Sequence, residues 1–260
     1  MAFANNVTGR GALLDERCAP LAQDGTLAQV AMAEYFLPLH VHFCRRGDDL
    51  VFLDLKQDDY TLINGPTAAV LKALVPSGRL DEARPEAADA LQELLTGGLL
   101  VTDPSHGKSI RPTQAEVALE PLIDPESEPR VRLRISHFYS FIAACTTAAA
   151  RLRWQRIEHT VKAVERRKAR HGTEGSFDMD AARDLTAVFH TLRGLFPRNY
   201  LCLFDSLALI EFLARYRIFP TWVFAVRLEP WGAHCWVQQG QFIYNEDVET
   251  AAGFTPIMTI

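Results

Sequence analysis

Three stations along the chain carry residues able to do covalent chemistry together. The first is Arg198-Asn199-Tyr200-Leu201-Cys202-Leu203-Phe204-Asp205-Ser206-Leu207-Ala208-Leu209. Pro197 blocks a helix upstream, and Asn199 is a good N-cap, since its side chain accepts from first-turn amides. Counted from that cap, Cys202 is expected at the third helical position. There the helix dipole and the unpaired N–H groups favour thiolate over thiol. Leu203 to Tyr216 is apolar on nearly every face, which predicts a helix buried inside a domain. A cysteine of that kind is either a small packing residue or a nucleophile, and its partners decide. The second station is Ala233-His234-Cys235-Trp236-Val237, where an imidazole opens a strand. With a pKa near neutral, it can take the thiol proton and pass it to a leaving amine. The third station is Asn245-Glu246-Asp247. A two-residue turn at Gln239-Gly240 sets His234 opposite Asn245, so Asn245 and Asp247 share its face while Glu246 points away. Asp247 is therefore expected to orient the imidazole. Asn245 is chemically possible, and Glu246 becomes possible if the strand bulges. Cys235, on the opposite face, is expected to pack. The Cys202 N–H would be one oxyanion donor, and no second donor is evident.

The elements that must position these residues lie in the second half. Helices are expected over Phe138–Trp154, Gln155–His171 and from Asp178 or Asp180 to Leu195, before the Cys202 helix. Gly172 to Ser176 breaks the chain between the second and third. After Pro220 the period becomes two: strands over Trp222–Leu228, Ala233–Gln238 and Gln241–Asn245, and an edge strand within Phe254–Ile260. The basic run of Arg156, Lys162, Arg166, Arg167, Lys168 and Arg170 reads as a solvated face, or as a docking surface for an acidic partner.

Residues 1–34 carry little signal. From Leu37 to Cys44 apolar and polar residues alternate as in a half-buried strand, with His40 and His42 on its polar side as exposed-strand residues. Strands follow at Leu50–Leu55 and Tyr60–Ile63. Asn64-Gly65-Pro66 then caps a helix to about Val75, and a second helix, Glu86–Thr96, stops at Gly97-Gly98. Residues 35–102 thus make a small first domain, 131–260 a second, and Pro-, Ser- and acid-rich 103–130 a linker with one short helix near Gln114–Leu119. The fold class is α+β, with a three-strand sheet and helices followed by a helix-plus-antiparallel-sheet domain.

The whole chain restricts the possibilities further. A net charge of −5 over 260 residues argues against a general nucleic-acid binder. No run approaches the roughly 18 uncharged apolar residues of a membrane span. Met1 to Val7 lacks a signal-peptide layout. The 5 cysteines are widely spaced with no CxxC, which argues against a disulfide framework or zinc site and suits a cytoplasmic protein. No P-loop is present, and the thiol chemistry needs no cofactor or metal.

The Cys block, the stretch Val226-Arg227-Leu228-Glu229-Pro230-Trp231-Gly232-Ala233-His234-Cys235-Trp236-Val237 and the closing Phe254-Thr255-Pro256-Ile257 resemble the B proteins of lasso-peptide biosynthesis, which are transglutaminase-like cysteine peptidases. The resemblance covers roughly residues 135–260 and implies Cys202 as nucleophile and His234 as base. The family's acid directly follows an Asn; here Glu246 and then Asp247 follow Asn245, which leaves both as the third member. Leu50 to Leu55, Tyr60 to Asn64 and Gly97 to Leu100 look like a PqqD-like, winged-helix-like recognition element. That likeness implies capture of a precursor's leader peptide as an added strand on Tyr60, Thr61, Leu62 and Ile63, with Leu91 and Leu94 of the following helix as its wall. It also implies leader cleavage after recognition of a threonine near the leader's end. The freed core would then pass to an asparagine-synthetase-like macrolactam cyclase.

Overall fold

The computed structural model describes residues 33–75, 77–80, 85–123, 132–171 and 178–260. The N-terminal lead up to residue 32, residues 124–130 of the expected linker, and the Gly172–Ser176 break lie outside the described residues. The described part is mixed α+β, in two compact units that meet in sequence at Thr113 and Gln114.

In the first unit the expected Leu37–Cys44 strand is two strands. β1 (Leu37–Pro38) pairs with a short strand at Gly107–Lys108, while β2 (Val41–Arg46) joins β3 (Asp49–Asp54) and β4 (Asp59–Ile63) in an antiparallel sheet ordered β2-β3-β4. Pro38 has no N–H to extend a ladder, and a turn at Leu39 and His40 redirects the chain. His40 and His42 are half-buried rather than exposed: His40 faces Asp54 at 3.7 Å, and Lys108 Nζ lies 3.4 Å from His42 Nδ1. Burial, then the nearby Lys108 and His40, push the His42 pKa down to about 3. The Asp54 carboxylate accepts from the Lys56 and Gln57 amides at 2.7 and 3.1 Å and shapes the turn into β4. Helices α1 (Gly65–Leu74) and α2 (Pro85–Thr96) close the core around Phe43, Phe52 and Leu71. Leu91 and Leu94 belong to that core and are each 1% exposed. This corrects their assignment to a peptide-facing wall, because a side chain enclosed by its own core has no surface left for a ligand.

The second unit begins without the short helix expected at Gln114–Leu119. Those residues lie against the β-hairpin instead. The Leu119 and Glu120 amides both donate to the Gln241 carbonyl, at 2.8 and 3.1 Å, and Gln238 Nε2 donates to the Glu116 carbonyl at 2.8 Å. The segment continues into a short strand, β6 (Glu120–Pro121), after the Gly107–Lys108 strand, β5. Helices α3 (Ile135–Trp154), α4 (Ile157–His171), α5 (Met179–Arg193) and α6 (Cys202–Ala214) precede β7 (Thr221–Arg227), β8 (Gly232–Gln239), β9 (Phe242–Ile243), α7 (Val248–Ala252) and β10 (Thr255–Thr259). The sheet order is β10-β7-β8-β9-β6, antiparallel except where β6 runs parallel to β9.

α6 is buried from Phe204 to Leu213, as its all-apolar surface requires. Three polar residues interrupt that surface, and each has a partner. Asp205 meets Arg193, Ser206 meets the Cys235 carbonyl, and Glu211 meets Arg167 at 2.6 Å. Arg167 is thus a structural ion-pair partner of α6. Lys168 likewise reaches Thr221 Oγ1 at 3.2 Å and the Ile260 carbonyl at 3.1 Å. The basic face of α4 is therefore not the uniform docking surface its sequence suggests.

Candidate active site

The site forms where β9 leaves β8. The hairpin turns at Gly240 (φ 57°), pairing Gln239 with Phe242 and Gln238 with Ile243, which is two residues off the expected register. Pairing then stops. Beyond it Val237 still finds partners, its carbonyl accepting from the Tyr244 amide at 2.9 Å and its N–H donating to Asn245 Oδ1 at 2.8 Å. On that edge no strand remains beside Cys235, and α6 takes its place. The Cys235 N–H bonds the Cys202 sulfur, and Ser206 Oγ donates to the Cys235 carbonyl at 3.2 Å. Cys202 and Ser206 stand four positions apart, on one face of α6. Together they satisfy one strand residue as a neighbouring strand would.

This placement resolves an apparent conflict. His234 and Cys235 point to opposite faces of β8, since their cross-strand partners are Ala225 and Phe224 respectively. The Cys202 sulfur nonetheless bonds both side chains. It lies at the strand's open edge, where one face supplies imidazole and the other a thiol. Cys235 is thus more than the packing residue expected from sequence.

His234 Nε2 donates to Glu246 Oε2 at 2.5 Å, which leaves Nδ1 for Cys202. The Phe254 ring packs on the imidazole at 5.1 Å between centroids. Cys202 has its pKa pulled down to about 4, first by the Cys235 thiol, against burial, and then by the bond and charge of His234. Burial works against an imidazolium at His234, but the bonds to Cys202 and Glu246 outweigh it and lift its pKa to about 9. A thiolate–imidazolium pair is the result, the form in which sulfur attacks a carbonyl carbon.

Glu246, not Asp247, meets the imidazole, and this corrects the expectation from strand alternation. The strand ends at Ile243, so alternation no longer governs residues 244–247. Asp247 instead caps α7, its carboxylate accepting from the Thr250 amide at 2.6 Å. Asn245 is a strut between elements: besides Val237 it bonds Ser206 Oγ through Nδ2 at 2.9 Å. A direct comparison separates these roles. Glu246→Gln is expected to lower kcat/KM on the order of 10²-fold, because the amide no longer stabilises imidazolium. Asp247→Asn, an equally good cap, should stay within about twofold. Steady-state kinetics of the two variants check this.

The start of α6 also departs from its sequence reading. The N-cap is Leu201, not Asn199, and Cys202 is the first helical residue. Asp205 replaces a capping side chain by reaching back to the Leu201 amide at 2.6 Å. Its other oxygen is held by Arg193, which is 2% exposed. The same guanidinium donates to the Arg198 and Asn199 carbonyls at 3.1 and 3.2 Å and lies 4.4 Å from the Tyr200 ring centroid. Arg193 thus ties the loop before Cys202 to the end of α5. As the first helical residue, Cys202 has an N–H without an intrahelical acceptor. The recurrence of Asp205 and Ser206 three and four residues after Cys202 is the sequence signal for this arrangement.

Of the residues expected to hold a peptide, Tyr60 is buried, while Thr61, Leu62 and Ile63 are half-buried on β4, an edge of the three-stranded sheet. Among the described residues no group of three or more His, Cys, Asp and Glu side chains could hold a metal ion, and no helix is long and apolar enough to cross a membrane.

A helix-mouth cysteine, a strand histidine and a carboxylate on an α+β scaffold define the class of thiol-dependent acyl-transfer centres. Residues 142–259 match the Transglutaminase-like superfamily, and this part of the chain is a transglutaminase-like domain. Comparison with curated proteins and with solved structures gave no match.

Proposed function

We propose that the protein is a leader peptidase of lasso-peptide maturation. The observation that carries this reading is the hydrogen-bonded Cys202–His234–Glu246 system within a transglutaminase-like domain. The resemblance of the Cys and His blocks to lasso-peptide B proteins supplies the substrate. In this reading Cys202 attacks the carbonyl joining leader to core while His234 protonates the departing amine. Water then releases the leader from the thioester, with His234 as base. The first unit would act as a PqqD-like element that captures the leader. The β4 edge offers main-chain groups to an added strand, and Thr61, Leu62 and Ile63 offer side-chain contacts. The step would be cytoplasmic and cofactor-free, and an asparagine-synthetase-like cyclase would consume the freed core.

The same thiolate could pass its acyl group to an amine instead of water, which is the second reading. Cys202→Ala separates the possibilities. With a precursor peptide and mass spectrometry, the wild type is expected to cut between leader and core, and Cys202→Ala to fall to the uncatalysed background. Cleavage that persists in Cys202→Ala would leave a leader-binding scaffold. Cys202-dependent amine incorporation with ammonia release, in place of cleavage, would establish the transferase.

A further inference from the structure

We infer that Cys202 and Cys235 form a peroxide-responsive thiol pair, in which the nucleophile is reversibly withdrawn as a disulfide. The two thiols are close enough to perturb each other's ionisation. Their proximity also follows from the surrounding geometry. Cys235 Sγ lies 3.9 Å from Ser206 Oγ, and Ser206 sits one turn below Cys202 on the same helix face. Side chains on a helix tilt toward its N-terminus, so Ser206 leans toward Cys202 and brings Cys235 with it. The Ser206–Cys235 carbonyl bond and the Cys202–Cys235 amide bond fix helix and strand at this point.

The two thiols differ as a sensing and a resolving thiol must. Cys202 is half-exposed and, beside His234, ionised; Cys235 is 3% exposed, and burial above all holds it protonated. The thiolate of Cys202 attacks a peroxide oxygen. The O–O bond breaks, sulfur is oxidised to sulfenic acid, and hydroxide leaves, taking the His234 proton to become water. The Cys235 sulfur then attacks the Cys202 sulfur. The S–S bond forms, the S–O bond breaks, and the departing hydroxyl takes the Cys235 proton as a second water. Two thiols and one peroxide thus give one disulfide and two waters. A dithiol reductant reverses it. Because Cys235 is buried against the nucleophile, the sulfenic acid meets a thiol before it meets a second peroxide.

The inference stands apart from the peptidase reading, since its readout is covalent. The full-length protein is treated with hydrogen peroxide, and the cysteine-containing peptides are mapped by mass spectrometry with and without dimedone. The expected result is a Cys202–Cys235 linkage with a two-hydrogen mass loss, reversed by dithiothreitol. In Cys235→Ala and Cys235→Ser, Cys202 should instead accumulate as the dimedone adduct and advance to sulfinic acid. Cys44 and Cys145, whose pKa values burial raises to about 12, serve as internal unreactive thiols. Wild-type Cys202 that is oxidised without linkage, or not oxidised at all, would overturn the proposal. The mapping in the wild type decides the matter even if neither variant folds.

Discussion

His234→Ala is expected to lower kcat/KM by about 10³-fold or more, since base, leaving-group acid and thiolate partner go together. A substrate-free measurement reports the same loss. Iodoacetamide alkylates only thiolate, so the wild-type Cys202 rate should reach its plateau just above pH 4, where its pKa lies. Without the imidazolium the inflection should move upward, part of the way toward the ordinary thiol value near 9, because the Cys235 thiol still pulls it down. The signs are fixed by linkage. Cys202 has a depressed pKa, so its contribution to stability disappears as pH falls through about 4. His234 has a raised pKa, so its contribution, complete below its ordinary 6.5, disappears as pH rises through about 9. Activity should therefore trace a bell with limbs near those two values, both belonging to the pair. An unmoved alkylation inflection in His234→Ala would place the two groups apart.

The second large effect concerns folding. Asp205→Ala leaves the buried Arg193 guanidinium without its carboxylate, and breaking such a pair costs about 3–5 kcal/mol. For a domain of this size that is on the order of a 6–20 °C fall in Tm. Most of it should be the uncompensated charge, not a missing attraction. The double variant Arg193→Met/Asp205→Leu is thus expected to be more stable than Asp205→Ala alone, while alkylation of Cys202 still slows because the loop ahead of α6 is untied. Thermal unfolding of the three proteins measures this. Equal losses in the single and double variants would show that the guanidinium's loop contacts, not its charge pair, dominate.

The sequence by itself determined the residue types that can do this chemistry and the elements that carry them. Cys202 must fall in the first turn of a buried helix, because Pro197 lies upstream and the residues from Leu203 to Leu213 are apolar on nearly every face. His234 must begin a strand, because period two starts after Pro220. Both statements depend on neighbours in sequence. The third member depended on how far β9 stays paired, and pairing is a tertiary matter. Its early end released Glu246 to the imidazole and left Asp247 to cap α7. Leu91 and Leu94 show the same limit: helical periodicity marks an apolar stripe but not whether that stripe meets a core or a ligand. Alternation likewise put Cys235 on the far side of the strand, correctly. Only the folded chain, by setting the helix mouth against the strand's open edge, brought a single sulfur within reach of both faces.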